Sequence, residues 1–180
     1  MKPNNVMIDI ETMDLIPNAA IVSIGAIVFD PRYGIVTDDT FYVELAWKTQ
    51  ERSINKETRQ WWKGQSPKAK SSLHGTATLV DALEDLAFWI PEGALVWGNG
   101  PSFDMTILED AYRQVGIQAP WKFWNVYDCR TIKYIYESLR GGFDKKVGGG
   151  AHNALLDAKH QAQYVNKMWK SILTQTGKQS

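Results

Sequence analysis

The chain has a single cysteine, Cys129. It therefore cannot close a disulfide on itself or assemble a cysteine-rich zinc site, and an intracellular, cytoplasmic protein is expected. Neither sign of charge is in excess: 20 Lys and Arg stand against 20 Asp and Glu. Proteins that grip duplex DNA along its length carry a basic surplus, so any contact with nucleic acid here should be local. Long apolar runs are missing too. The longest, Ala19 to Phe29, is interrupted by Ser23 and Gly25 and is too short to cross a bilayer. The opening "MKPNN" has no signal-peptide pattern. Repeats and low-complexity linkers are absent.

What is present is a large apolar fraction, 44% hydrophobic and 12% aromatic with eight Trp, which is incompatible with disorder. A length of 180 residues suits one domain spanning 1–180. Asn5–Ile10, Ala20–Phe29 and Thr40–Leu45 read as strands rich in β-branched residues, forming an antiparallel meander. Leu79, Leu83, Leu86, Ala87 and Ile90 then recur at helical spacing, stopped by Pro91-Glu92-Gly93. A short strand at Ala94–Asn99 precedes a helix opened by Pro101, with a stripe at Ile107, Leu108, Ala111 and Val115. After a Trp-rich loop, Cys129–Leu139 and Asn153–Trp169 read as helices. Between them, the five glycines of Arg140–Gly150 predict a mobile loop. Strands first, then strands alternating with helices, indicate an α/β fold with a mixed sheet flanked by helices.

The stretch "VMIDIETMD" conflicts with its own burial. Val6, Ile8 and Ile10 belong in a core, yet Asp9 and Glu11 interrupt them, on one strand face and roughly 6–7 Å apart. A strand end with a solvated face explains a lone D-x-E equally well. Asp104 weakens that explanation, because on a helical wheel it lies in the middle of the apolar stripe. A helix dipole favours an acid in the first turn but does not turn it inward. Asp157 falls one turn into the last helix, at the edge of its apolar face, behind an Asn153 N-cap. Unpaired buried charges cost several kcal/mol each. Divalent cations resolve that conflict, and ligands that are all oxygen favour Mg²⁺ or Mn²⁺ over zinc.

The segments "DIET" (Asp9–Thr12), "GNGPSFDMTIL" (Gly98–Leu108) and "HNALLDA" (His152–Ala158) resemble, in order, the three motifs of DnaQ-like, DEDD-type 3′–5′ exonucleases. "RQWWKGQS" (Arg59–Ser66) is similar to a phage and bacterial subgroup of that family. The resemblance implies a ribonuclease H-like fold and metal-binding acids at Asp9, Glu11, Asp104 and Asp157. The family divides on a tyrosine four residues before the last aspartate or a histidine five before it. Here those positions hold Asn153 and His152, so the resemblance is to the histidine branch, DEDDh. It further implies two divalent cations, Mg²⁺ or Mn²⁺, with His152 as general base for in-line attack by water. The base would swing in on the glycine-rich stretch.

The same resemblance assigns Thr12, Met13, Leu15, Asn99 and Phe103 to the terminal nucleotide of a single-stranded DNA or RNA 3′ end, with DNA slightly favoured. A core position explains Phe103 equally well. Trp61 and Trp62 are candidates for stacking on bases, with at least one expected in the core. Lys145 and Lys146 are candidates for phosphate contact. Asp128 is read as a helix cap and His160 as lying on the outer side of the last helix; His74, in a polar loop, receives no assignment, and Asp14 is near the site in sequence but outside the motif. Pairing into a homodimer fits family members of this size, and no membrane partner is expected. Two other readings compete: a catalytically idle copy of the fold that binds nucleic acid or protein, and a glycosidase using Asp9 and Glu11 as its carboxylate pair. The second leaves Asp104 and Asp157 without a role.

Overall fold

The computed structural model describes residues 4–140 and 152–176. Five strands form one sheet: β1 (Asn5–Thr12), β2 (Ile21–Asp30), β3 (Ile35–Glu44), β4 (Leu95–Gly98) and β5 (Val126–Asp128). Their order is β3-β2-β1-β4-β5. β1, β2 and β3 form the expected antiparallel meander, while β4 and β5 add parallel to the other edge of β1. The helices are α1 (Lys56–Lys63), α2 (Pro67–Lys70), α3 (Leu79–Trp89), α4 (Pro101–Gln114), α5 (Cys129–Arg140) and α6 (Ala154–Thr176). No helix among the described residues is long and apolar enough to cross a membrane.

Every residue of β2 is buried, so the sheet is covered on both faces. Alternation along β1 divides its side chains between two cores. Val6, Ile8 and Ile10 pack with Leu83 and Leu86 of α3 and with Ile107 and Leu108 of α4. Met7 packs on the opposite face with Ala158, Ala162, Val165 and Met168 of α6. Asp9 and Glu11 continue the row begun by Met7, so they lie on the face that α6 covers.

The structure differs from the sequence reading at several ends. β3 starts at Ile35 rather than Thr40, because an edge strand keeps its backbone ladder while Asp38 and Asp39 face water. β5 falls within the stretch read as a Trp-rich loop; three residues are too few to show a periodicity. α6 runs to Thr176, beyond Trp169. The glycine-rich stretch and Lys145 and Lys146 lie outside the described residues.

Local caps hold the elements that matter for the site. Asn55 caps α1 by accepting from the Glu57 and Thr58 amides. Gly100, at φ 98°, turns the chain into α4, with Pro101 in its first turn. Asp128 caps α5 as expected, accepting from the Arg130 amide at 2.9 Å, and it also accepts from Gly100 N at 3.2 Å. The start of α4 is thereby tied to the end of β5. Arg52 is buried and ties the segment after β1 to α4. It donates to Ala19 O and Pro17 O at 2.8 and 2.9 Å and pairs with Asp110 at 3.1 Å.

Candidate active site

Three elements bring the acids together. Asp9 and Glu11 come from β1, Asp104 from the first turn of α4 and Asp157 from the first turn of α6. Ligand oxygens of Asp9, Glu11 and Asp157 lie within 4.8 Å of one another. Asp104 joins them from the β4 side. Along β1, β4 pairs with Asn5–Met7 alone, which leaves the Ile10 N–H past its end, and Asp104 Oδ1 accepts that N–H at 3.3 Å. The Asn153 backbone N–H donates to Asp157 Oδ2 at 3.2 Å, while the Asn153 side chain caps α6 through Leu156 N at 3.1 Å.

Gly25 decides how close α6 comes. It is paired with Asp9 in the β1–β2 register. A methyl group there would lie 2.1 Å from Leu155 N and 2.2 Å from Ala154 C. The backbone of the first turn of α6 therefore fills the space a side chain would take beside Asp9, which delivers Asp157 to the cluster.

Crowding acids out of water raises their proton affinity. Burial, then the charges of Asp104, Glu11 and Asp157, hold Asp9 well above the usual carboxylate range, against a hydrogen bond from Gln161 that lowers it. Burial, then Asp157 and Asp104, pushes Glu11 from 4.5 to about 8. Burial pushes Asp104 from 3.8 to about 7, against the Ile10 N–H bond. Four carboxylates and no cation is an unfavourable state that a divalent ion relieves, and the oxygen donor set suits a hard one.

A pH dependence of stability follows. Through the interval from about 4 to about 8, the folded metal-free protein retains protons that the unfolded chain has released. Stability must then fall as pH rises through that window and level off above it. The metal-free melting temperature should drop by several degrees between pH 5 and pH 8, and saturating Mg²⁺ should cancel most of the drop. A flat metal-free profile would contradict the burial of these acids.

The acids line a cleft of about 430 Å³, together with Asn99, Phe103, His152, His160 and Gln161. His152 is half-buried, with φ 47°, and its ring meets the edge of Trp61 with centroids 4.8 Å apart at 84°. A second cleft of about 610 Å³ shares Ile10, Glu11 and Phe103 with the first and is walled by Thr12, Asp14, Leu15, Ile16 and Trp61. Trp62 turns into the core at 2% exposure and donates from Nε1 to Thr12 O, while Trp61 stays 45% exposed.

Not every candidate reaches a cleft. Met13, 1% exposed, packs with Ala20, Val22, Trp47 and Trp62, because the chain after the β1–β2 irregularity at Glu11/Thr12 turns it into that cluster. Asp14, near the site in sequence but outside the motif, lines the second cleft. His160 needs a larger correction. It lines the acid cleft, three residues after Asp157, rather than the outer side of α6. A wheel centred on the apolar residues of α6 hides this, because the acids sit at the flank of that stripe. Gln161, one full turn from Asp157, also escaped the sequence reading, and its Nε2 donates to Asp9 Oδ1 at 2.7 Å. The i, i+4 spacing from Asp157 was the available signal.

The family described as the 3'-5' exoribonuclease Rv2179c-like domain matches residues 4–169. The chain belongs to that family. A relative, the exodeoxyribonuclease of Enterobacteria phage T4, is 30% identical across 69% of this chain and 68% of its own length. Among solved structures, cell-death related nuclease 4 (CRN-4) superposes with a TM-score of 0.68 at 15% identity, covering 94% of this chain and 65% of that one. The Mg²⁺- and Mn²⁺-bound form of S. pombe Pop2p superposes with a TM-score of 0.63 at 16% identity, over 92% and 82%. This chain thus spans about two thirds of the phage protein and of the CRN-4 chain. The mixed sheet and its helices are the ribonuclease H-like fold, and the matched family is one of 3′–5′ exoribonuclease domains.

Proposed function

We propose that the protein removes nucleotides one at a time from the 3′ end of single-stranded nucleic acid, releasing nucleoside 5′-monophosphates. The observation that carries this reading is the meeting of Asp9, Glu11, Asp104 and Asp157 beside His152 in one cleft. The four carboxylates would hold two divalent cations, Mg²⁺ or Mn²⁺, which supply charge stabilisation for the attacking and leaving oxygens of an in-line displacement. His152 takes the proton of the attacking water. The departing 3′ oxygen leaves with the shortened strand, and the phosphate stays on the released nucleotide.

The second cleft suits the terminal nucleoside. Thr12 and Leu15 face it, Phe103 spans both clefts and the exposed edge of Trp61 closes one wall. Asn99, exposed at the rim of the acid cleft, is the candidate for contact with the adjoining sugar–phosphate. Met13 takes no part, since it lies in the core. A net charge of zero agrees with a site that grips only a few terminal nucleotides.

DNA is placed ahead of RNA because the 30%-identical phage relative is named an exodeoxyribonuclease. The family description names an exoribonuclease, which makes RNA the competing substrate. Contact with the 2′-hydroxyl decides between them. The test is a time course with end-labelled single-stranded DNA and RNA oligonucleotides of matched sequence. Stepwise shortening from the 3′ end, abolished by EDTA and regained with Mn²⁺, is the expected result; shortening that survives EDTA would refute the metal site. His152→Ala should slow single-turnover hydrolysis by about 10²- to 10⁴-fold while leaving Mn²⁺ affinity within about two-fold. An unchanged rate would remove His152 as the base and leave the metal site standing.

A further inference from the structure

We infer that Gln161 is a positioning residue for Asp9, setting the affinity of the site for its divalent cation. This rests on the exonuclease reading above. Asp104 and Asp157 each have an oxygen held by a backbone N–H, from Ile10 and Asn153. Asp9 is held by a side chain instead: Gln161 Nε2 donates to its Oδ1 at 2.7 Å. With Oδ1 fixed, Oδ2 is left to the cation, and the carboxylate plane cannot rotate freely. Groups that fix the orientation of a metal ligand in this way strongly affect affinity.

The placement follows from α6. Gln161 is one turn beyond Asp157, so both project from the same side of the helix towards the end of β1. Ala158 and Ala162 pack against the sheet between and beside them, and their small side chains let α6 lie close enough for the Gln161 amide to reach Asp9. The amide is an expensive choice for folding alone. Its Oε1 is buried with no hydrogen-bond partner among the described residues, an orphan that an apolar side chain of equal length would avoid. Its bond to Asp9 is what offsets that cost.

The test is calorimetric titration of the metal-free protein with Mn²⁺, comparing wild type with Gln161→Met and Gln161→Asn. Methionine keeps the length and removes the donor; asparagine keeps the donor but falls one methylene short. Gln161→Met should weaken Mn²⁺ binding by about 10- to 100-fold, with Gln161→Asn weakened in the same direction. At saturating Mn²⁺ the kcat of both should return to within about threefold of wild type, with KM for the oligonucleotide unchanged. Gln163→Met, on the exposed side of α6, should bind Mn²⁺ as wild type does. Wild-type affinity in Gln161→Met would overturn the inference while sparing the exonuclease reading. A wild-type protein that binds no Mn²⁺ would instead overturn that reading. Loss of the folded state in both Gln161 variants, seen by circular dichroism, would make Gln161 a structural residue and also overturn the inference.

Discussion

Asp9→Asn is expected to lower the rate of 3′-end hydrolysis by about 10³-fold or more, while making the metal-free protein more stable. The two effects have one cause. Asp9 is half-buried beside Asp104, Glu11 and Asp157, whose charges all raise its proton affinity. Removing its charge relieves repulsion in the empty cluster. It also removes one of the anionic oxygens that attract the cations, whose charge stabilisation is worth several kcal/mol in the transition state, with each 1.36 kcal/mol a factor of ten in rate. Asparagine is nearly isosteric, and its carbonyl can still accept from Gln161, so packing is preserved. At pH 8 without metal, Asp9→Asn should melt several degrees above wild type. At pH 5, where the wild-type acids keep more of their protons, the difference should shrink. With saturating Mn²⁺ the order should reverse. Melting curves at two pH values, with and without Mn²⁺, read all three outcomes, and identical melting of the two proteins at pH 8 would sink the account.

Gly25→Ala should be nearly as damaging, although Gly25 carries no functional group. Its new methyl would sit about 2 Å from backbone atoms of Leu155 and Ala154, and neither can rotate away as a side chain tip could. Either α6 lifts from the sheet or β2 bends. Overpacking of this kind costs typically 1–3 kcal/mol, and with backbone on both sides the upper end or more is expected. The activity loss should exceed what the lost stability explains. Asp157 rides on the displaced turn, and an ångström of misplacement at a reacting centre can cost about 10²-fold. A folded Gly25→Ala protein with wild-type turnover would show that α6 does not depend on this contact. Gly34→Ala is the comparison: that glycine, at φ 67°, has nothing within 4 Å of a new methyl and lies on the β2–β3 turn, so only backbone strain is felt there. Its effect should be confined to stability.

The acids were legible in the chain because burial and charge are in open conflict there. Asp9 and Glu11 break an apolar strand, which a solvated strand end explains as well, and Asp104, interrupting an apolar helical stripe, tips the reading towards inward acids. Asp157 joined them from its place at the edge of the last helix's apolar face, whereas His152 needed the family motif, since a histidine before a helix is ordinary. The fold class followed from the change of period from two to 3.6 along the sequence. β5 did not, because an edge strand of three residues is stabilised by pairing with β4 rather than by its own pattern.

His160, Gln161 and Gly25 were illegible for a different reason. Which flank of α6 faces the carboxylates depends on how that helix crosses β1 and β2, and no local pattern contains a crossing. Met13 was misplaced on the same ground, since one irregularity in the strand ladder sends it to a core instead of a cleft. The sequence by itself determined which residues carry charge into the interior, and its resemblance to a nuclease family pointed to the kind of chemistry. Only the tertiary structure decided which uncharged neighbours hold those charges in place, because contacts between elements far apart in the chain depend on distance and angle, and periodicity encodes neither.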